Sequence, residues 1–435
     1  MKRLRGFALS NRTAGWIDQI LVSATNFVLL LALARWSSIA DVGYSAIAAS
    51  IVACAVAVQD ALATRPYTIL FLNSDIDPGR RAAGTLISSV FISAILSCGA
   101  VLVGSLLYYA QGPHAGADLA FVLGFVVPAA LFRDFARRHC FAHLRSWLAV
   151  AVDMTSLLLA CAGIVALGTT GHLNAITAIS TLGLANITAF ATWFIVRRRD
   201  FIGGWRGLMK TLKENVALGK WLLAGQLATQ AQGYTTHWIT LVIGGVASTG
   251  LYSGCLSIVA LSNPFLFGYF NTLTPQFVRV LKQDGPGALR RHALWASLLI
   301  SLVLTAFTLA ILIFGNTLMQ VMLPGESFRE GTGVLVVLAL ANLAGALGGA
   351  ASVALTVAEK GRSLAYISFS AFVVGSALVC VLMVGWGLYV AAYGILLMEA
   401  AVSLARWVML ALCLPNASTT IPTHITPQPR SKGYL

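Results

Sequence analysis

The sequence predicts an all-α membrane protein of about twelve transmembrane helices, arranged as two six-helix lobes related by pseudo-two-fold symmetry. Three observations carry this expectation: a charge-poor composition, a succession of apolar runs of spanning length, and local phrases repeated at an offset of 207 residues. Hydrophobic residues make up 58% of the 435-residue chain and charged residues only 10%, against roughly 25% charged in soluble domains. So few charges cannot cover a water-facing surface of this size, and lipid must face most of it. A net charge of +14 would suggest nucleic acid in a soluble chain. Here its placement follows membrane topology, and no nucleic-acid partner is expected.

A helix crossing a roughly 30 Å hydrocarbon core needs about 20 mostly apolar residues. Such runs fall near 14–36, 40–62, 82–109, 117–132, 146–168 and 174–196, and again near 219–243, 246–274, 293–316, 331–357, 363–384 and 388–412. The first run is too long, and lacks the small-residue ending, to be a cleaved signal peptide. With the N-terminus on the cytoplasmic side, 27 of the 29 Lys and Arg fall on that side, leaving Arg35 and Arg329 opposite. This is the positive-inside asymmetry, and a miscount of one span would scramble it. It places both termini in the cytoplasm. Tryptophans such as Trp36, Trp147, Trp193 and Trp407 fall near span ends, as interfacial aromatics do. The seven cysteines lack paired or metal-ligand spacing, so no disulfide and no metal site is expected.

The offset of 207 aligns Gln19 with Gln226, Ala40 with Ala247 and Gly43 with Gly250, and the run Ser50–Ala53 with Ser257–Ala260. The shared element is a helical hairpin with a small-residue turn. The same offset separates the first span from the seventh. The chain therefore divides into an N-terminal lobe (1–196), a basic cytoplasmic linker (197–218), a C-terminal lobe (219–414) and a Thr- and Pro-rich tail (415–435) expected to be disordered. Six spans per half make the repeats parallel, an arrangement suited to alternating access by rocking two lobes.

Polar side chains deep in a span are costly and usually face a cavity, a partner or an aqueous path. At 100° per residue, Gln226, Gln230 and His237 share one face of the seventh span, and Gln19, Ser23 and Asn26 share one face of the first. Two readings stand side by side: hydrogen bonding between helices, or the lining of a cavity. Asp60, with Arg65 about one turn beyond, either forms an ion pair or lines a vestibule at the inner end of span two. Arg35 and Asp41 bracket the first outer turn and are expected to pair there. Glu399, with Ser403 and Arg406 on its face, is the deepest acid, suited either to coupling and gating or to being a neutral buried carboxylic acid.

The phrases LLLALARWSSIADVGYSAIA (29–48), ITLVIGGVASTGLYSGCLSIVAL (239–261), TLTPQFVRVLKQDGPGALRRHALWASLLISLVLTAFTLAILIFGNTLMQVML (272–323) and FREGTGVLVVLALANLAGALGGAASVALTVAEKGRSLAYIS (328–368) occur in an order that resembles the multidrug/oligosaccharidyl-lipid/polysaccharide exporter superfamily, especially its Wzx-type polysaccharide flippases. The resemblance covers nearly the whole chain. It implies two lobes around a central cavity lined by spans one, two, seven and eight. That places Gln19, Asn26, Arg35, Asp60, Gln226, Gln230, His237, Asn263 and Asn271 in or near the cavity; Asp60, Arg65 and Glu399 are candidates for coupling or gating on their own charge and depth. Family cavities are commonly cationic, and this chain departs from that, with only Arg35, Arg65 and Arg133 within or near the membrane.

No Walker-type phosphate loop, metal-ligand cluster or large soluble loop is present in the sequence, so no cofactor and no enzymatic domain are expected. Short outer loops argue against a polysaccharide polymerase or ligase. The resemblance implies a flippase that moves undecaprenyl-diphosphate-linked oligosaccharide across a bacterial inner membrane for O-antigen or exopolysaccharide export. Its implied partners are the lipid-linked oligosaccharide, membrane lipids and the polysaccharide polymerase or export machinery. The alternative within the superfamily is a cation-coupled multidrug or small-metabolite exporter. A non-transporting scaffold that recruits an enzyme through the basic linker is the reading from a different class.

Overall fold

A computed structural model of the chain describes residues 2–70, 77–201, 205–324, 328 and 330–414. The tail from residue 415 and Arg329 lie outside the described residues. So do the side chains of Gln19, Asn271, Trp16 and Trp221.

Among the described residues, twelve helical rods follow one another up and down. The first lobe has α1 (Lys2–Trp36), α2 (Ile39–Leu70), α3 (Pro78–Gln111), α4 (Ala115–Ala142), α5 (Ser146–Thr169) and α6 (Ala175–Arg197). The second has α7 (205–244), α8 (246–284), α9 (286–322), α10 (Thr332–Val357), α11 (361–386) and α12 (388–413). We call the end of the bundle holding the N-terminus the near end, and the other the far end. Three links of the second lobe are single glycines. Gly245, Gly285 and Gly387 sit at φ 79°, 80° and 79°, a left-handed conformation that side chains with a Cβ disfavour. The repeat partner of Gly245 is Ser38, which starts α2 differently. Its hydroxyl accepts the Asp41 N–H at 3.2 Å, while the Asp41 carboxylate reaches back to the Ser38 N–H at 3.4 Å, a capping box.

The outside of the bundle is apolar. Ile95 on α3, Leu302 on α9 and Val384 on α11 are each about 70% exposed, the inverse of a soluble fold and the surface that lipid requires. Inside, one apolar cluster joins Leu33 of α1, Val42 of α2, Ile164 of α5, Ile258 of α8 and Leu335 of α10, knitting the two lobes together.

Several helices run beyond the spans expected from the sequence, among them α1 from residue 2, α2 to Leu70 and α8 to 284, and two of these extensions share one physical reason. Helix α4 continues from 132 to Ala142 through Arg133, Arg137 and Arg138, because buried carboxylates receive these guanidinium groups. Helix α7 begins at 205 rather than 219. Its first turns pack on the first lobe, where fully buried Arg81 pairs with Glu214 at 2.6 Å and Gly84 lies against Thr211. Much of the basic segment expected as a linker is therefore helix.

Candidate functional site

The two lobes meet at two seams that the repeat makes equivalent: α2 against α7, and α8 against α1. At the far end they share a crossing. A Cβ added at Gly43 would fall 2.1 Å from the Val246 carbonyl oxygen, and one at Gly250 would fall 2.0 Å from that of Ile39. Ile39 and Val246 are themselves partners under the 207-residue offset, as are Gly43 and Gly250. The contact is thus self-complementary, like a two-fold dimer interface within one chain. Only glycine permits it on both sides.

Away from this crossing the seams part company. Along α2–α7 the lobes are bolted. Gln230 Nε2 donates to the Ala53 carbonyl at 2.9 Å, and Gln226 Nε2 donates to Asp60 Oδ2 at 2.9 Å. Gly219 lets α7 rest on the Ala61 carbonyl. Along α1–α8 the equivalents of Gln230 and Ala53 are Ser23 and Ala260, and both line a cleft of about 720 Å³. Ser23 is two heavy-atom bonds shorter in reach than a glutamine, and no side-chain hydrogen bond crosses the gap among the described residues. Asn26 and Asn263 add amides to the cleft, Ile20 and Leu261 form apolar walls, and no charged residue is among its described lining residues.

The cleft continues past Leu256, Ala260 and Asn263 into a chamber of about 660 Å³ inside the second lobe. Helix α10 makes room for it. At Gly348 the helix breaks between two segments, and the carbonyls freed there are taken by side chains of other helices. Ser403 Oγ donates to the Ala344 carbonyl at 2.5 Å, while Ser297 Oγ and Trp407 Nε1 donate to that of Leu347 at 2.5 and 2.8 Å. Such replacement is what a membrane interior demands of a broken helix. Gly345 and Gly349 leave a notch into which Glu399 and the Phe270 ring fit. Glu399 and Arg406 of α12 both line the chamber.

A second polar assembly fills the near half of the first lobe. Arg137 of α4 contacts Asp18 of α1 at 2.5 Å, Asp153 of α5 at 2.9 Å and Asp134 at 3.2 Å. Arg133 reaches Asp153 at 2.8 Å and Asn186 of α6 at 3.2 Å. Asp60 collects Arg65 at 2.7 Å and Arg138 at 3.3 Å, in addition to Gln226. Asp60 opens a π-helical turn, Asp60–Thr64, within α2; such turns recur at functional sites. Four carboxylates thus meet four guanidinium groups, and Asp60 carries the network across the seam into the second lobe.

His139, His143 and Asp200 bring three metal-capable atoms within 4.8 Å of one another at the near end. Asp200 Oδ2 already accepts from Arg197 at 2.6 Å and Arg145 at 3.2 Å, and two guanidinium groups there oppose a cation. Burial holds His143, in the α4–α5 link, below its ordinary range; Asp200 pulls it up and Arg197 pushes it further down.

No family model matches the sequence, and neither does any curated protein. Solved structures do. A multidrug resistance MATE family transporter of the MOP superfamily in an inward-facing conformation superposes with a TM-score of 0.66, at 16% identity over 94% of this chain and 96% of that one. The bundle shares the fold of MOP-superfamily transporters. A MOP transporter from Pyrococcus furiosus, described as having a binding pocket of reverse polarity, gives 0.60 at 14% identity over 94% and 95%. A Vibrio cholerae MATE transporter gives 0.59 at 13% identity over 95% and 97%.

Of the residues singled out in the sequence, Asn26 and Asn263 stand in the α1–α8 cleft and Glu399 in the connected chamber. Gln226 and Gln230 stand at the bolted seam instead, bonded to α2. His237 is buried between the rings of Tyr234 and Tyr252. Arg35 lines a separate far-end pocket beside Trp36 and Met322. It does not pair with Asp41 as expected, because that carboxylate accepts from the Ser37 and Ser38 hydroxyls at 2.6 Å and from the Ala175 N–H at 2.8 Å. Asp60 and Arg65 form the ion pair that one sequence reading foresaw. The chamber's Gln232, Asn342 and Arg406, and the cluster of Asp18, Asp134, Arg137 and Arg138, were not singled out as site residues. The pattern that could have revealed the cluster is Asp134 set three and four residues before Arg137 and Arg138, a helical spacing.

Proposed function

We propose that the chain is a membrane transporter that exports a lipid-bearing polar solute, the lipid-linked oligosaccharide of surface polysaccharide synthesis, across the bacterial inner membrane with both termini in the cytoplasm. The observation that carries this reading is the inequality of the two seams. A gap between rocking lobes also serves water-soluble cargo, but such cargo does not depend on a slot that admits a chain from the side. A cargo with a polar head and a long apolar tail needs one, and the α1–α8 cleft offers it: amides of Asn26 and Asn263 within, and apolar Ile20 and Leu261 at its walls. The head would pass side chains that replace its hydration bond for bond, while the tail stays in lipid.

The test is rescue of a bacterium lacking its own polysaccharide flippase, scored by surface polymer and by accumulated lipid-linked oligosaccharide. Restored polymer with cleared intermediate is expected. Ser23→Trp, which plugs the cleft, is expected to abolish rescue at unchanged abundance. Full rescue by that variant would remove the cleft from the mechanism.

A second reading, cation-coupled export of drugs or small metabolites, is favoured by the buried carboxylates Asp18, Asp60, Asp134 and Asp153, since groups that bind and release cations suit coupling. Drug efflux by the same cells, in place of polymer rescue, would select it.

A further inference from the structure

We infer that the chamber of the second lobe, rather than the seam between lobes, receives the anionic end of the cargo, with Arg406 as its anchor and Glu399 as the group that sets how tightly it is held. The inference rests on the lipid-bearing reading above and adds where the headgroup sits and what chemistry recognises it: a phosphoryl ester carried on a sugar or prenyl chain.

Arg406 is the one cationic residue among the described residues lining the cleft and the chamber. Its Nε is buried and makes no hydrogen bond among the described residues. An arginine held in a membrane protein with an unspent N–H is a costly arrangement, and a planar guanidinium is the side chain best shaped to take two phosphoryl oxygens at once. Glu399 lies two turns earlier on the same helix, on the same chamber wall. Its place above Gly345 sets its backbone about 10 Å along the helix axis from that of Arg406. An ionised carboxylate on this wall would weaken the hold on an incoming anion.

The rest of the wall suits what a phosphoryl group would carry. Gln232, Asn342 and Ser352 offer neutral donors and acceptors, and the Phe270 ring presents an apolar face of the kind sugar rings pack on. Leu256, Ala260 and Asn263 border both the chamber and the cleft. A headgroup in the chamber can thus keep its chain in the α1–α8 opening. Among the described residues the first lobe offers no comparable anchor on this path, because Arg133, Arg137 and Arg138 are already engaged by carboxylates.

The test uses the full chain in nanodiscs, with farnesyl diphosphate as the probe, and farnesol and inorganic pyrophosphate as the separate apolar and anionic arms, read by calorimetry. Farnesyl diphosphate is expected to bind the wild type. R406Q is expected to weaken it about tenfold or more, a loss of roughly 1.4 kcal/mol, R406K to recover part of that, and E399Q to tighten it. Farnesol binding should be unchanged in all three. Pyrophosphate binding that responds equally to R406Q would mark the chamber as a site for the anion regardless of chain and support the anchor. Undiminished farnesyl diphosphate binding in R406Q, with thermal unfolding as in the wild type, overturns the inference and leaves the lipid-bearing reading standing. Should R406Q fail to fold, E399Q decides alone: no tightening overturns the inference. If the wild type ignores farnesyl diphosphate but binds a lipophilic cation, the lipid-bearing reading falls first and this inference with it.

Discussion

At the scale of single residues, two glycines and one arginine define what the fold tolerates. Gly43 and Gly250 let the backbones of α2 and α8 approach to a distance that no Cβ survives. Gly43→Val and Gly250→Val are each expected to cost about 1–3 kcal/mol by overpacking, and by similar amounts because symmetry relates the two sites. Gly225→Ala, at a helical glycine with open space around it, is the control expected to leave thermal unfolding in detergent unmoved or slightly raised. Arg137 holds three carboxylates. Arg137→Gln takes from Asp18 its guanidinium partner and leaves Asp153 and Asp134 to Arg133 and Arg138 alone; it is expected to cost about 3–5 kcal/mol, visible as lost folded yield in size-exclusion profiles. A yield equal to wild type would mean that the carboxylates find other partners. The arginines of α4 show where sequence reading reaches its limit. Hydropathy registers a charge and sends it to a loop, but Asp18, which keeps Arg137 inside, is 119 residues away.

At the scale of helices, one length difference separates the seams. Gln230 spans to the α2 backbone, while Ser23, its partner under the repeat, leaves the cleft. Exchanging the two residue types tests this directly. In a chain retaining only Cys54, which adjoins Ala53, Gln230→Ser is expected to raise maleimide labelling several-fold as the α2–α7 seam loosens. Ser23→Gln is expected to close the cleft and depress export. An unchanged labelling rate would assign the bolting to the apolar contacts alone. The polar stripe on α7 was legible as a stripe, since helical periodicity fixes which residues share a face. Whether it met a cavity or another helix depended on the width of the seam, which periodicity does not encode. Likewise the glycines of α10 stood out in the sequence. The side chains that satisfy its freed carbonyls come from helices 50 to 60 residues away, and no local pattern announces them.

At the scale of the whole molecule, the broad architecture was the most legible part. Apolar runs of spanning length, the alternation of basic links and the 207-residue offset each rest on many residues, so single errors wash out. The offset returns as geometry, in a contact where each glycine meets the repeat partner of the other's neighbour. The departure from symmetry was illegible for the opposite reason, since it turns on one glutamine and one serine. That far-end crossing also has a mechanical side. A rocking of the two lobes would use it as a fulcrum, with α2 as the lever arm. From Gly43 to Asp60 the arm runs about 26 Å at 1.5 Å per residue. A tilt of about 10° at the glycines therefore sweeps the Asp60 end by some 4–5 Å, enough to unhook it from Gln226 while the fulcrum barely shifts. In such a motion a small rotation at two glycines would be geared into a wide stroke at the other face, without a large distortion along α2.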